Sequence, residues 1–307
     1  MSDGAVRRIR AGRRTVEVHR PDKVLFPGGD DAKEYTKADL VAYYRAVAPF
    51  MLPQLRGRPL MLERHPDGID GPRFMQKNVS DSSPEWVHRV EVPKEGGTVV
   101  HPVCDDTATL VHLADQASVT LHRWLSRVGR LGYPDRMVFD LDPAVDDFAR
   151  VREAALYLGE LLDTLRLPYT LMTTGSRGLH LVVPLSGHQG FDEVREFARR
   201  VAEVLAAAHP DRLTTAARKK ERGERLYLDV QRNAYAQTAV APFSVRPLPG
   251  APVAVPIGRD QLDDPELTAR RWTIADAVEQ ARSDPWGGVM GRGRALGPAR
   301  RRLDSLV

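Results

Sequence analysis

A single cysteine, Cys104, among 307 residues excludes an internal disulfide and any cysteine-built zinc site. A bound metal would therefore fall to carboxylates and histidines. No run of eighteen apolar residues occurs, so no membrane-spanning helix is expected. The arginines between Met1 and Arg14 have no hydrophobic segment behind them to form a secretory signal. A cytoplasmic protein with no membrane contact is the default expectation.

Hydrophobic residues make up 42% and charged residues 28%, enough for one large or two small cores. The formal net charge of +4 is unevenly distributed. Residues 1–14 carry five arginines against Asp3, and residues 283–307 carry five against Asp284 and Asp304, so residues 15–282 are left at −3. The two basic ends fit either tethers to an anion or solubilising tails, and a case for nucleic acid must rest on local patches.

A strand is expected over Thr15 to His19, then a turn-rich connector, Pro21-Asp-Lys-Val-Leu-Phe-Pro27. Thr36 and Asp39 form a capping box for a helix in which Leu40, Tyr44, Val47 and Met51 recur at helical spacing up to Pro53. A strand over Gly57 to Arg64, a loop from Pro66 to Pro72, an exposed Phe74-Met-Gln-Lys77, a helix over 107–117 and a strand over Val119 to His122 follow. The second half alternates: a strand ending in Phe139-Asp-Leu-Asp-Pro143, a helix over 145–165, a strand over Tyr169 to Thr173, and a helix striped by Val194, Phe197, Ala198, Val201 and Leu205. A charged segment, Arg218 to Arg225, leads into the strand Leu226-Tyr-Leu-Asp229. Thr273 and Asp276 mark a last short helix, and from Ser283 the Gly, Pro and Arg content predicts a flexible tail. The order implies α/β or α+β layering.

Asp140 and Asp142, two apart on a strand, share one face because side chains alternate. With Asp229 they could hold hard divalent ions for phosphoryl or nucleotidyl transfer. The same Asp-X-Asp-Pro also suits a turn that caps the next helix. His180, between leucines, fits a hydrogen-bonded core histidine or a ligand-facing one. The turn before it, Thr174-Gly-Ser-Arg-Gly178, offers amides, hydroxyls and a guanidinium to phosphate oxygens, although it is not a Walker loop. Gln231, Arg232, Asn233, Gln237, Thr238, Ser244 and Arg246 form a row of donors that fits a sugar-triphosphate or a polar sheet face. The cations from Arg218 to Arg225 fit a solvated loop equally, and Phe74 beside Lys77 could stack a base or cover core.

Taken together and in this order, these segments resemble the polymerase domain of bacterial ligase D, a branch of the archaeo-eukaryotic primase superfamily. The resemblance is carried by Phe-Asp-Leu-Asp-Pro, Gly-X-X-Gly-Leu-His-X-X-X-Pro-Leu, Asp229 followed by Gln-Arg-Asn, and Ala-Pro-Phe-Ser-Val-Arg246. It is also carried by Pro21 to Pro27, Thr36-Lys-Ala-Asp, Tyr43-Tyr-Arg, Arg58-Pro and Leu121-His-Arg-Trp. It covers residues 18–282. It implies a primase-polymerase fold of mostly antiparallel sheets with an RRM-like catalytic core flanked by helices. The implied lobes are about 18–135, 136–250 and 251–282, between a basic extension, 1–17, and a basic tail, 283–307.

The resemblance implies metal ligands and catalytic residues at Asp140, Asp142 and Asp229, holding two Mn2+ or Mg2+ ions. NTP or dNTP substrate would meet His122, Thr174, Gly175, Ser176, Arg177, His180, Gln231 and Arg246. Lys23 and Lys37 match lysines for a downstream 5′-phosphate and Phe74 an aromatic beside the template, with Arg64, Lys77 and Arg222 added as DNA contacts. The implied activity is template-dependent, ribonucleotide-preferring gap filling or end extension in non-homologous end joining, on gapped or broken DNA at the bacterial nucleoid. Ku and a separate DNA ligase are the implied partners. Gap filling in excision repair without Ku, and a non-catalytic end-binding module, are the competing readings. Met75, Glu63 and Leu248 depart from residues seen in some relatives, and the Ser126 to Tyr133 connection is short.

Overall fold

The computed structural model describes residues 5–29, 32–291 and 293–306. They belong to two compact units. The first unit takes the chain up to Trp124 with residues 240–255 and 272–283; the second takes 125–239, 256–271 and the chain from Asp284 onward.

In the first unit β1 (Val6–Ala11) and β2 (Arg14–His19) form a hairpin, β3 (Val24–Phe26) pairs with β4 (Tyr35–Thr36), and α1 (Lys37–Leu55) follows. The Thr36 hydroxyl accepts from the Asp39 amide at 3.3 Å and the Asp39 carboxylate from the Thr36 amide at 2.7 Å, the reciprocal cap that Thr-X-X-Asp predicts. Leu40, Tyr44, Val47 and Met51 are all fully buried, each worth roughly 1.5–3 kcal/mol of transfer free energy. The helix runs past Pro53 to Leu55. Burial of Leu52 and Leu55 holds that last turn despite the missing proline amide. Two tyrosines tie α1 to the returning segment: Tyr43 donates to the Phe243 carbonyl at 2.9 Å, and Tyr44 accepts from the Val245 amide at 3.1 Å.

The unit continues through β5 (Leu60–Arg64), β6 (Phe74–Gln76), β7 (His88–Lys94), β8 (Gly97–Val103), α2 (Thr107–Asp115) and β9 (Ser118–Trp124). β5 lies between β9 and β6, antiparallel to both. The β7–β8 hairpin has no counterpart in the sequence reading. β7 buries only Val92, so it lacks the alternating apolar pattern by which a half-buried strand is recognised.

The second unit is built on one sheet. After β10 (Arg136–Asp142) come α3 (Phe148–Thr164), β11 (Thr170–Thr173), β12 (Leu179–Pro184), α4 (Phe191–Ala208), β13 (Leu213–Thr214), the short α5 (Lys219–Arg222) and β14 (Leu226–Asp229). β15 (Thr238–Val240) carries the chain back to the first unit, β16 (Pro256–Ile257) rejoins the second, α6 (Ala277–Arg282) belongs to the first, and α7 (Gly297–Asp304) ends the second. The strand order is β13-β14-β10-β12-β11-β16, antiparallel except for β13 against β14. β10 is central. Met137, Val138, Phe139 and Leu141 are buried, and α3 and α4 both pack on this strand.

Two expectations change here. The cap of α3 is Asp147, whose carboxylate accepts from the Ala149 amide at 3.0 Å. Asp142 is thus not the capping residue. The stretch read as a flexible tail carries α7 and buries Trp286, Leu296, Ala299 and Leu303, with the Trp286 indole donating to the Leu171 carbonyl at 2.8 Å. Arginines at Arg294 and Arg300 to Arg302 hide that apolar set in the composition. Residues 1–4, 292 and 307 of the expected extension and tail lie outside the described residues.

Candidate active site

β10 sets the site by register. Asp140 is paired with His180 on β12 and with Asp229 on β14, and Asp142 with Tyr227. Paired residues share a face and strand side chains alternate, so the three aspartates and His180 lie on one face of the sheet. Asn233 holds this edge: buried, it accepts from the Val138 amide at 2.8 Å and donates to the Val138 carbonyl at 2.7 Å. Its amide is therefore spent on the backbone and drops out of the row of donors read for a nucleotide. Ser244, in the first unit, is likewise buried, accepting from the Leu121 amide at 2.7 Å.

The turn before β12 is closed by its own first residue. The Thr174 hydroxyl accepts from the Gly178 amide at 3.1 Å, and the Thr174 amide donates to the Gly178 carbonyl at 3.1 Å. Gly175 adopts φ +66°, a left-handed conformation that glycine accepts without strain. Gly178 is required for a different reason, because a Cβ there would collide with the Leu141 carbonyl. The turn is thereby pressed against β10, and Arg177 reaches Asp142.

Each carboxylate has a partner of its own. Asp142 Oδ1 accepts from Arg177 at 3.0 Å and Oδ2 from Arg222 at 3.1 Å. Asp140 faces His180 Nε2 at 3.4 Å and Arg232 Nε at 3.4 Å. Asp229 accepts from the Gln231 amide at 2.7 Å. Burial raises the Asp140 carboxyl, but His180 and then Arg232 overcome it and bring the pKa down to about 2. Asp229 is pushed up, first by burial and then by the charge of Asp140. Among the described residues no three His, Cys, Asp or Glu side chains are gathered closely enough to hold an ion. The chemistry of the set still fits a hard divalent cation, which takes oxygen ligands, with the two opposed carboxylates Asp140 and Asp229 as its frame.

The remaining candidates in the second unit divide. Ser176 and Gln231 are open to solvent or half-open, whereas His180 is buried with no hydrogen-bond partner for Nδ1. Arg222, read as a DNA contact, is folded down: its guanidinium lies 3.9 Å from the Tyr227 ring centroid and donates to Asp142 and to the Ala216 and Ala217 carbonyls. Arg232, one of the row of donors in the sequence, lies against Asp140 at 3.4 Å, and the Tyr227 hydroxyl, which no sequence pattern singles out, lies 3.4 Å from Asp229.

In the first unit, Lys37 is buried, donating to the His19 carbonyl at 2.8 Å beside Asp115 at 3.5 Å. Desolvation lowers its pKa against the pull of Asp115. Lys23 pairs with Asp67 at 2.6 Å, and the Lys37 amide donates to the Lys23 carbonyl, so the two lysines are neighbours. Phe74 and Lys77 are exposed, and Arg64 is held by the Gln116 carbonyl and the Gln76 side chain. His122 Nε2 lies 3.8 Å from Glu63, a buried carboxylate that also meets His65 at 3.6 Å and Arg73 at 3.5 Å. Arg246 is half-buried, and its amide donates to the Pro252 carbonyl at 2.7 Å.

Residues 36–286 match the family model of the LigD primase-polymerase domain. The chain belongs to that family. It is 35% identical over 269 residues to the multifunctional non-homologous end joining protein LigD of Mycolicibacterium smegmatis, covering 86% of this chain and 35% of that protein. The LigD of Pseudomonas aeruginosa is 31% identical over 306 residues, covering 98% of this chain and 36% of its own length. This LigD-type chain thus spans about a third of the length of these curated relatives. Among solved structures, the polymerase domain of Mycobacterium tuberculosis ligase D in complex with DNA superposes with a TM-score of 0.81 at 31% identity, covering 94% of this chain and 98% of that one. The mixed, largely antiparallel architecture expected from the sequence is the LigD polymerase-domain fold. Among the described residues no helix is long and apolar enough to cross a membrane.

Proposed function

We propose that this LigD-type chain is a template-dependent nucleotidyltransferase that fills short gaps or extends broken DNA ends during non-homologous end joining. The observation that carries the reading is the pairing of Asp140 with both His180 and Asp229 on one sheet face, beside the Thr174–Gly178 turn. A divalent ion, Mn2+ or Mg2+, bound to Asp140, Asp142 and Asp229 would supply the positive charge that lowers the pKa of a primer 3′-hydroxyl and neutralises the departing pyrophosphate. The chain's own residues bind and orient. The Ser176 hydroxyl and the Arg177 guanidinium would receive phosphate oxygens, with Thr174 and Gly175 shaping the turn. His180, Gln231, His122 and Arg246 would complete the nucleotide contacts. Lys23 and Lys37 would take a downstream 5′-phosphate, Phe74 would stack beside the template, and Arg64 and Lys77 would add backbone contacts, whereas Arg222 is committed to Asp142 and Tyr227.

Ribonucleotides are the preferred substrate in this reading, and Ku and a separate ligase are the partners, at the bacterial nucleoid. The test is primer extension across a short gap, with and without a downstream 5′-phosphate, offering NTPs and dNTPs separately. Incorporation is expected to vanish in Asp140→Ala and Asp229→Ala and to weaken without the phosphate. Extension that survives both substitutions would overturn the site. Equal extension on phosphorylated and unphosphorylated gaps would overturn the role of the lysines.

A further inference from the structure

The arginines at the start of the chain are part of a folded surface. β1 and β2 are joined through Gly12 at φ +61° and pair in register from Val6 opposite His19 to Ala11 opposite Arg14. One face is packed: Ala11, Val16 and Val18 are buried, and Arg14 lies over the Trp86 ring at 5.1 Å. The other face, with Arg8 opposite Glu17 and Arg10 opposite Thr15, is open to solvent, as is Arg13 at the turn. Residues 5–20 hold six arginines against Glu17 alone, in a chain whose residues 15–282 sum to −3. Mixed signs would suit a surface kept only for solubility, and this face is nearly of one sign.

Little within the protein neutralises these charges. Arg8 meets Glu17 at 3.1 Å with 77% of its side chain exposed, a pair worth little in water. Arg7 reaches Asp22 at 3.7 Å, and Arg10 and Arg13 have no acidic partner among the described residues. The hairpin's open end also adjoins the lysines read as a phosphate pocket. The His19 carbonyl accepts from Lys37 Nζ at 2.8 Å, and its amide donates to Asp115 at 2.7 Å. From that end to the Arg10 level is about 13 Å at roughly 3.3 Å per residue. Arg8 and Arg10, alternate residues on one strand, are about 7 Å apart, close to two base-pair steps of a duplex rising about 3.4 Å per pair.

We propose that the outer face of the β1–β2 hairpin, through Arg8, Arg10 and Arg13, docks the sugar-phosphate backbone of the duplex lying beyond the 5′-phosphate. This rests on the reading of Lys23 and Lys37 as the 5′-phosphate pocket. The hairpin lengthens that pocket by about four base pairs. Its arginines are assigned to phosphates and not to base edges, so the contact is independent of sequence and sensitive to salt.

The test is equilibrium binding of the full chain to phosphorylated gapped DNA with a long or a very short downstream duplex, across a salt series. The comparison is between the wild type, Arg8→Ala/Arg10→Ala/Arg13→Ala and the matching triple lysine variant. On the long arm the alanine variant is expected to bind roughly 10-fold to 100-fold more weakly at low salt, with a salt slope smaller by about 2–3. The lysine variant is expected to keep both, and the short arm to show little difference. An alanine variant that matches the wild type on the long arm overturns the proposal. So does an equal loss on both arms, or an unchanged DNA slope with weakened binding to polyglutamate, which would mark an acidic polypeptide as the occupant. Primer extension by the same proteins separates the two readings. A wild type that fills the gap while the alanine variant binds normally removes only the hairpin, whereas a wild type that neither binds nor extends removes the proposed function as well.

Discussion

Asp140 stands directly opposite Asp229 on hydrogen-bonded strands, so two carboxylates face one another in the middle of the second unit's sheet. Like charges so placed weaken a strand pair by up to about 1 kcal/mol, and the raised Asp229 pKa reflects burial first and the Asp140 charge after it. Asp229→Asn keeps an acceptor for the Gln231 amide and removes the repulsion. It is expected to raise the melting temperature in chelator by roughly 2–4 °C, and to lose the upward shift that Mn2+ gives the wild type. Thermal melts with EDTA and with Mn2+ check both. A variant that melts lower in EDTA yet keeps the Mn2+ shift contradicts the assignment.

Arg222 and Arg177 occupy the two oxygens of Asp142, so a metal arriving at that carboxylate competes with both guanidiniums. Arg222 is the better anchored, with its side chain 11% exposed and stacked on Tyr227. Arg222→Gln is expected to tighten Mn2+ binding roughly 3-fold to 10-fold, the range of a partly buried ion pair worth about 1 kcal/mol. Calorimetry or the free-Mn2+ paramagnetic resonance signal reads this without turnover. Weaker binding would show that Arg222 supports the carboxylate in its ion-binding position instead of competing for it.

The parts of the fold governed by neighbours in sequence were legible beforehand. Thr36 and Asp39 mark the start of α1, and Leu40, Tyr44, Val47 and Met51 mark its buried side, because caps and periodicity act within a few residues. The family resemblance and the spacing of Asp140 and Asp142 were legible for the same reason. The opposition of Asp140, His180 and Asp229 is a matter of register between distant strands, which no local pattern encodes. Partner choice was equally hidden: nothing near Arg222 in sequence says that it lies down on Tyr227 and Asp142, or near Asn233 that its amide closes on Val138. At the C-terminal end arginine and glycine mask the helix in the composition, although Leu296, Ala299 and Leu303 have the spacing of a buried helical stripe.

Glu63 supplies a pH prediction. His122 first and His65 second hold its carboxyl well below the usual range, against a burial penalty, and Arg73 lies 3.5 Å away. A carboxyl depressed on folding contributes stability that is present above its unfolded pKa and is lost as pH falls toward the folded value. The contribution is on the order of 2 kcal/mol at neutral pH. Urea unfolding from pH 6 downward is therefore expected to show a steeper fall below roughly pH 4 in the wild type than in Glu63→Gln. The variant is expected to start lower at neutral pH and converge on the wild type in acid. Parallel curves would mean that the cluster is not coupled to folding.

Gly178 gives the sharpest structural prediction. Its Cα faces the Leu141 carbonyl so closely that any Cβ must displace backbone on one side or the other. The turn cannot yield cheaply, since the Thr174 hydroxyl already accepts the Gly178 amide at 3.1 Å and donates to its carbonyl at 3.0 Å. β10 cannot yield either, being paired on both sides. Gly178→Ala is expected to destabilise by about 1–3 kcal/mol and, by lifting the turn from β10, to free Asp142 from Arg177. Gly175→Ala tests a different cost at the same turn: it forces alanine to φ +66°, a conformation that L side chains adopt only with strain. A nucleotide-affinity loss of at least 10-fold is therefore expected for Gly178→Ala at matched stability, with a smaller loss for Gly175→Ala. Calorimetry with a non-hydrolysable triphosphate measures both, and equal losses would mean that only the turn's rigidity matters, not its contact with β10.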